Sequence, residues 1–122
     1  MTRNRKSARN AGTAFERLIA NGLASALDDD RIDRRPKTGS KDRGDIGGVR
    51  IHAQRLVIEC KDVATLALPQ WTREAQLEAG NDDALAGVVV HKRRGTRDPL
   101  DQWVSMTVRE LVALISGQRS EP

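Results

Sequence analysis

The chain has 122 residues, of which 38% are hydrophobic and 31% charged, with a formal net charge of +4 at pH 7. That length suits one domain with a single hydrophobic core. One cysteine excludes an internal disulfide, and one cysteine with two histidines does not make a Cys/His zinc cluster. No apolar run approaches the ~20 residues that cross a bilayer. The basic N-terminus lacks the apolar stretch of a signal peptide, so we expect a cytoplasmic protein without a membrane partner.

Basic residues gather in three segments of the chain. Residues 1–10, 31–43 and 92–98 hold 14 of the 21 basic residues but three of the 17 acidic ones. Positive charge concentrated around an otherwise acidic body is typical of a surface that binds a polyanion. Arginine-rich loops that are merely solvated are the alternative, and composition alone does not decide between the two.

The periodicity of apolar residues predicts a mixed α/β domain over residues 11–117, with the element order α-β-β-β-α-β-β-α. We expect a flexible basic arm (1–10) before it and a frayed tail (118–122) after it. The predicted helices cover about 12–27, 69–79 and 108–116, and the predicted strands about 31–37, 45–51, 55–61, 85–91 and 102–106.

Local signals support several of these elements. Phe15, Ile19 and Leu23 recur at helical spacing and give the first helix one apolar face. Thr107 and Glu110 have the spacing of a capping box, which predicts the start of the last helix. The strand over 55–61 is continuously apolar at its centre, as expected of a central strand that is buried on both faces.

A short turn joins the strands predicted over 45–51 and 55–61 into a hairpin. The position of the turn sets Asp45 opposite Glu59 to Lys61. Because side chains alternate along a strand, Glu59 and Lys61 share one face. The hairpin register therefore predicts that two carboxylates and a lysine converge at one end of the hairpin.

Such a group of charges has a chemical use. Two crowded carboxylates, Asp45 and Glu59, should recruit a hard cation, Mg²⁺ or Mn²⁺, and the backbone carbonyl of Cys60 is a further possible oxygen ligand. The cation can polarise a phosphate oxygen, while Lys61 can orient or deprotonate a water or offset charge on the phosphorus. The residues predict phosphodiester hydrolysis; an exposed set of surface ion pairs is the alternative.

The order and spacing of three motifs resemble those of the PD-(D/E)XK nucleases, and among them the small Holliday-junction-resolvase-like enzymes of archaea and phages. A glutamate of the first helix (Glu16), an aspartate after a basic, glycine-containing loop (Asp45) and a Glu-x-Lys triplet (Glu59, Lys61) match in turn. The match covers roughly residues 11–93. One departure is that the aspartate is not preceded or followed by the proline for which the superfamily is named.

The resemblance implies a restriction-endonuclease-like core, a mixed β-sheet flanked by helices, and a metal-dependent endonuclease that hydrolyses DNA phosphodiester bonds. It implies that Asp45 and Glu59 bind Mg²⁺ or Mn²⁺, that Lys61 is the catalytic lysine, and that Glu16 supports the metal through a water. The expected partner is a Holliday junction or other branched DNA, cut by paired nicks. Two symmetric cuts call for a homodimer, since one chain supplies one site. Glu16 could instead be a solvated helix residue paired with a neighbour.

Side chains that flank the hairpin are expected to contact the DNA backbone. Phosphate contacts position a nucleic acid without reading its sequence, which suits an enzyme that selects DNA by shape. Trp71 and Trp103 could stack on bases, or they could belong to the core or to a dimer interface. The expected phosphate-binding residues are Lys37, Thr38, Ser40, Lys41, Arg43, Lys92, Arg93 and Arg94.

Three other functions stay open from the sequence. The same chemistry could act on linear duplex DNA, as in a restriction-like or nicking nuclease. The chain could be a non-catalytic DNA-binding module on a nuclease fold, although an intact set of acids and a lysine argues against that. An RNA-binding protein is disfavoured because few aromatic residues are available to stack on bases.

Overall fold

A mixed six-stranded sheet with helices on both faces forms the body of the protein. The computed structural model describes residues 4–36 and 42–119, and it confirms the α/β class and the mixed sheet. The elements are α1 (Arg5–Leu27), β1 (Asp33–Arg34), β2 (Ile46–Gly47), β3 (Arg50–Ile51), β4 (Gln54–Lys61), α2 (Leu68–Asn81), β5 (Ala86–His91), a 3₁₀ helix (Pro99–Asp101), β6 (Trp103–Ser105) and α3 (Val108–Ser116).

Several boundaries differ from the prediction, and two of the differences have a clear local cause; among the others, the first strand is only Asp33–Arg34. Helix α1 begins at Arg5, because the side chain of Asn4 accepts a hydrogen bond from the N–H of Ser7 and caps it. Residues 5–10, predicted as part of a flexible arm, are therefore helical. The strand predicted over 45–51 is divided into β2 and β3 near Gly48, which has a φ of +87° and is packed against the backbone of Arg31. Only glycine adopts that conformation without strain.

The central strand is β4. The strand order is β1-β2-β4-β5-β6, and β3 also pairs with β4. Strand β4 runs antiparallel to β2, where Ile46 pairs with Ile58, and parallel to β5. The next position outward from that antiparallel pair sets Asp45 beside Glu59, so the predicted hairpin register is confirmed.

Alternation along β4 gives its two faces different partners. Ile58 and Cys60 pack in the cluster that contains Phe15 of α1. On the other face Val57 packs with Ala79 of α2. Glu59 and Lys61 alternate with Ile58 and Cys60 and therefore face α2.

Helix α2 lies very close to the sheet. Gly87 of β5 leaves no room for a side chain, since a Cβ atom there would be 2.2 Å from the backbone oxygen of Ala75. Ala75 and Ala79 are themselves small and buried. The close approach brings the side chains of α2 into direct contact with the carboxylate face of β4.

The capping box predicted for α3 does not form. Thr107 makes no capping hydrogen bond; its hydroxyl accepts one from Nε2 of Gln76 at 2.8 Å. Glu110 accepts a hydrogen bond from the backbone N–H of Gly87 through Oε1, at 2.9 Å. Both side chains therefore bond to residues of other elements, and these hydrogen bonds attach α3 to α2 and to β5.

One side of α3 carries an apolar stripe that faces solvent. Its four residues follow the i, i+3, i+4, i+7 spacing of a helix face, and they are between 44% and 76% exposed. We call these residues, Val108, Leu111, Val112 and Ile115, the α3 stripe.

Among the described helices, none combines the length and the apolar character that crossing a membrane requires.

Candidate metal centre

Three carboxylates meet between the sheet and α2. Asp42 precedes β2, Glu59 stands on β4 and Glu78 stands on α2; one oxygen from each lies within 4.8 Å of the others. Glu59 and Glu78 are only 5% and 7% exposed. We refer to Asp42, Glu59 and Glu78 as the acidic cluster.

Two oxygens of the acidic cluster are unsatisfied. Within the described part of the chain, Oε1 of Glu59 and Oε2 of Glu78 are buried without a hydrogen-bond partner. A buried polar atom that lacks a partner is costly, and such atoms are uncommon in native structures. Carboxylate oxygens are the ligands that hard divalent cations prefer. The acidic cluster could therefore hold a metal ion.

The protonation of the acidic cluster reflects the same crowding. Burial is the main cause that raises the pKa of Glu59 far above its ordinary value of 4.5, with the hydrogen bond to Glu78 and the charge of Asp45 adding to it. Burial also raises the pKa of Glu78, while its hydrogen bond with Glu59 acts in the opposite direction. The pKa of both carboxyls is thus raised, so in the absence of a cation the pair favours a protonated state, because two buried carboxylates are costly to charge together at this separation.

Asp45 lies next to the acidic cluster and supports it. The side chain is buried, and its Oδ2 accepts a hydrogen bond from the backbone N–H of Cys60 at 2.8 Å. The backbone N–H of Asp45 donates to the carbonyl of Ile58, also at 2.8 Å. These two bonds fix β4 on either side of Glu59. Strand register places Asp45 beside Glu59, as predicted. Asp45 is not among the three described carboxylates whose oxygens converge, so its role as a metal ligand stays a prediction.

Lys61 is near the acidic cluster but is engaged elsewhere. Its Nζ lies 3.4 Å from Oε2 of Glu74. Glu74 stands one helical turn before Glu78 on the same side of α2, and Lys61 stands two residues after Glu59 on the same face of β4. The lysine is therefore held over the same face as the carboxylates.

Glu16 and the side chain of Cys60 lie on the opposite face of the sheet. Oε1 of Glu16 accepts hydrogen bonds from the guanidinium of Arg34 at 3.2 Å. Cys60 packs in the core against α1, and burial is the main cause that raises the pKa of its thiol. Neither side chain belongs to the acidic cluster. A role for Glu16 or for the Cys60 carbonyl in metal binding stays a prediction.

Of the residues expected to contact DNA, Lys37, Thr38, Ser40 and Lys41 lie outside the described residues. Arg43 is exposed directly beside Asp42. The loop after β5 starts beside the end of β4, where the N–H of Lys92 donates to the carbonyl of Lys61 at 3.0 Å. Exposed positive side chains therefore follow Asp42 directly in the chain, at Arg43, and lie in the loop that starts beside the end of β4, at Arg93 and Arg94.

Two members of the acidic cluster were not predicted. Glu78 borders the stripe of Trp71, Ala75 and Ala79 that packs on the sheet, so the helical periodicity of α2 carried a signal for it. Asp42 lies in an irregular loop, where no periodicity indicates the direction of a side chain.

Comparisons with known proteins add no assignment for this site. No protein-family model, no curated protein and no solved structure matches the chain. Its function is therefore inferred from its own residues and geometry.

The pH dependence of stability should reveal the acidic cluster. The pKa values of Glu59 and Glu78 are raised in the folded state, so above the ordinary value of 4.5 the folded protein binds more protons than the unfolded chain. Stability is then lost as the pH rises. In EDTA, the midpoint temperature of thermal unfolding should decrease as the pH is raised from about 5 to about 8. Addition of Mn²⁺ should restore the midpoint temperature.

Glu78→Gln provides the comparison, because it removes one of the two coupled carboxylates. This variant should show a flatter pH profile in EDTA and a smaller response to Mn²⁺. Identical profiles for the variant and the unmodified protein, with and without Mn²⁺, would contradict the account of the cluster.

Proposed function

We propose that the protein is a metal-dependent endonuclease that hydrolyses DNA phosphodiester bonds on a restriction-endonuclease-like core, with Mg²⁺ or Mn²⁺ held by the acidic cluster. One observation carries the proposal: Glu59 and Glu78 bury unpartnered carboxylate oxygens beside Asp42, on the face of β4 that also carries Lys61. A set of oxygen ligands next to a lysine suits cleavage of a phosphodiester.

Each side chain near the cluster has a separate task in this proposal. Bound by Asp42, Glu59 and Glu78, a divalent cation would supply Lewis-acid polarisation of the phosphate. The ammonium of Lys61, oriented by Glu74, would donate to the phosphate and offset the charge that develops on it. Asp45 holds β4 through the N–H of Cys60 and adds negative charge that favours a cation.

DNA is proposed as the substrate because of the charge around the acidic cluster. Arg43 follows Asp42 directly in the chain, and Arg93 and Arg94 lie in the loop that starts beside the end of β4, all exposed. Contacts of this kind attract the phosphate backbone and orient it without reading sequence. Branched DNA is proposed on the motif resemblance, and linear duplex is the alternative substrate, which a parallel assay on both DNAs separates.

A non-catalytic DNA-binding module has one observation in its favour. Lys61 is engaged by Glu74 and Glu16 by Arg34, so the four residues predicted to be catalytic do not all converge in the free protein. That function predicts binding of a four-way junction without any cleavage in Mg²⁺ or Mn²⁺.

Substitutions in the acidic cluster or at Lys61 should slow cleavage strongly. With Mg²⁺, the protein should nick a synthetic four-way junction, and Glu59→Gln or Glu78→Gln should lower the rate by at least about 100-fold. Lys61→Met should lower it by about 100- to 1,000-fold, since it removes charge stabilisation from the transition state. Rates are measured in single-turnover experiments with labelled strands.

The matched control is Asp30→Asn, which removes one negative charge at an exposed position outside the acidic cluster. Its rate should equal that of the unmodified protein. Undiminished cutting by both glutamate variants would overturn the nuclease assignment to this site.

We also propose that a second copy of the chain covers the α3 stripe. Each chain has one acidic cluster, and paired nicks need two sites related by a two-fold axis. Four exposed apolar side chains in helical register can pack against the same face of a symmetry-related helix. The resulting homodimer would supply both sites.

Ile115→Lys should convert this dimer to a monomer. Ile115 is 76% exposed, so the substitution should not disturb the fold of one chain. Leu77→Lys is the control, because Leu77 is 67% exposed on α2 and lies outside the α3 stripe. Sedimentation equilibrium should show a dimer for the control and a monomer for Ile115→Lys; a dimer in both would contradict the proposed interface.

A further inference from the structure

A groove with basic and apolar walls lies where β5 ends and β6 begins, near the loop that follows β4. Part of its lining is aliphatic, part is cationic, and one wall is a tryptophan of β6. We call it the Trp103 groove. The residues used below are Val63, Leu66, Lys92, Arg93, Arg94 and Trp103.

The Trp103 groove is aligned with Lys61 across the sheet. Lys61 is the partner of His91 in the parallel ladder, and His91 is the partner of Trp103 in the antiparallel one. Residues paired in this way point to the same face. Neighbouring strands are about 4.8 Å apart, so two strand spacings place Trp103 roughly 10 Å from Lys61. A DNA strand with a phosphate at Lys61 could therefore reach the groove within a few nucleotides.

Trp103 presents its ring to solvent. It is 50% exposed, whereas Trp71 is only 5% exposed and packs in the core. The guanidinium of Arg93 lies 4.6 Å from the centre of the Trp103 ring, which is a cation–π contact. An exposed tryptophan that is paired with an arginine offers both a stacking surface and a positive charge.

The loop that carries this arginine is fixed in place by Gln102. That side chain is buried, and its Oε1 accepts a hydrogen bond from the N–H of Arg93 at 2.7 Å. Its Nε2 donates to the carbonyl of Asp98 at 2.8 Å and to that of Thr96 at 3.2 Å. The arginine and the tryptophan are thus held in position before any ligand binds, which lowers the entropy cost of binding.

The charge of the Trp103 groove selects the class of ligand. Lys92, Arg93 and Arg94 contribute to its lining, and none of the described residues that line it is acidic. Aromatic rings beside clustered cations are the combination that binds unpaired nucleic acid, because the bases stack and the phosphates pair with the cations.

We propose that the Trp103 groove binds an unpaired nucleotide of the substrate, with its base stacked on Trp103 and its phosphates at Arg93 and Arg94. The proposal rests on DNA as the substrate in the proposed function, and it adds a preference for DNA that has unpaired bases near the cleavage point. Intact duplex keeps its bases stacked inside and offers none to Trp103.

The test compares DNA binding with and without unpaired bases, in EDTA to prevent cleavage. Fluorescence anisotropy is recorded with a blunt duplex and with the same duplex that contains a short single-stranded gap. Trp103→Ala should weaken binding to gapped DNA by about 5- to 100-fold, the range found when a stacking aromatic is removed. Binding to blunt duplex should change by less than about twofold.

Two further variants serve as controls. Trp103→Phe keeps an aromatic ring and should retain most of the affinity for gapped DNA. Leu77→Ala removes an exposed apolar side chain of α2 outside the groove and should change neither affinity. Tryptophan fluorescence should be quenched by gapped DNA in the unmodified protein and not in Trp103→Ala. Equal unfolding midpoints establish that the variants are folded.

Other outcomes separate this inference from the proposed function. If Trp103→Ala lost affinity equally for both DNAs, or for neither, the base-binding role of Trp103 would be overturned. Nuclease activity of the unmodified protein in Mg²⁺ would still support the proposed function. If a poly-glutamate peptide bound as tightly as gapped DNA, the groove would recognise negative charge alone, and nucleic acid would be the wrong ligand. An unmodified protein that neither binds nor cuts any DNA would overturn both proposals.

Discussion

The contact of α2 with the central strands is the constraint on which the rest of this structure depends. Gly87, Ala75 and Ala79 let the helix approach the sheet closely, and the approach buries Glu59 against Glu78. Two carboxylates in that position repel each other, and desolvation adds to the cost. Either a shared proton or a cation must compensate. The fold therefore requires a proton or a cation at the point where Glu59 meets Glu78.

The proposed tasks are distributed across adjacent strands of one sheet. Strand β4 carries Glu59 and Lys61, β5 carries His91, and β6 carries Trp103, all on the face that α2 partly covers. The cation site, the phosphate-directed lysine and the base-stacking tryptophan are therefore set by strand register. Register within a ladder is rigid, since a shift by one residue would turn every side chain to the other face.

Local rules were sufficient for the part of the site that lies within the hairpin. The turn and the alternation of side chains predict Asp45 beside Glu59 with Lys61 on the face of Glu59, and both features depend on neighbours in sequence. Helical periodicity indicates that Glu78 lies beside the buried stripe of α2, but only tertiary packing sets it against Glu59. Asp42 lies in an irregular loop, where no local pattern indicates the direction of its side chain. The prediction was strongest where contacts are local and weakest where they are tertiary.

The elements that differ from the prediction do so for two separate reasons. Thr107 and Glu110 satisfy the sequence rule for a capping box, but Gln76 and the N–H of Gly87 compete for their side chains and bind them instead. The early start of α1 follows from Asn4, a capping residue placed before a segment whose basic composition suggested a flexible arm. Tertiary partners override the capping signal in α3, and a local cap overrides the signal from composition in α1.

The central claim is that Glu59 and Glu78 form a cation site, and calorimetric titration with Mn²⁺ tests it most directly. The unmodified protein should bind one Mn²⁺ per chain and release a proton on binding, because the shared proton must leave. Glu78→Gln should lose that binding, while Asp30→Asn should keep it. Equal Mn²⁺ affinity and proton release in Glu78→Gln and the unmodified protein would contradict the claim.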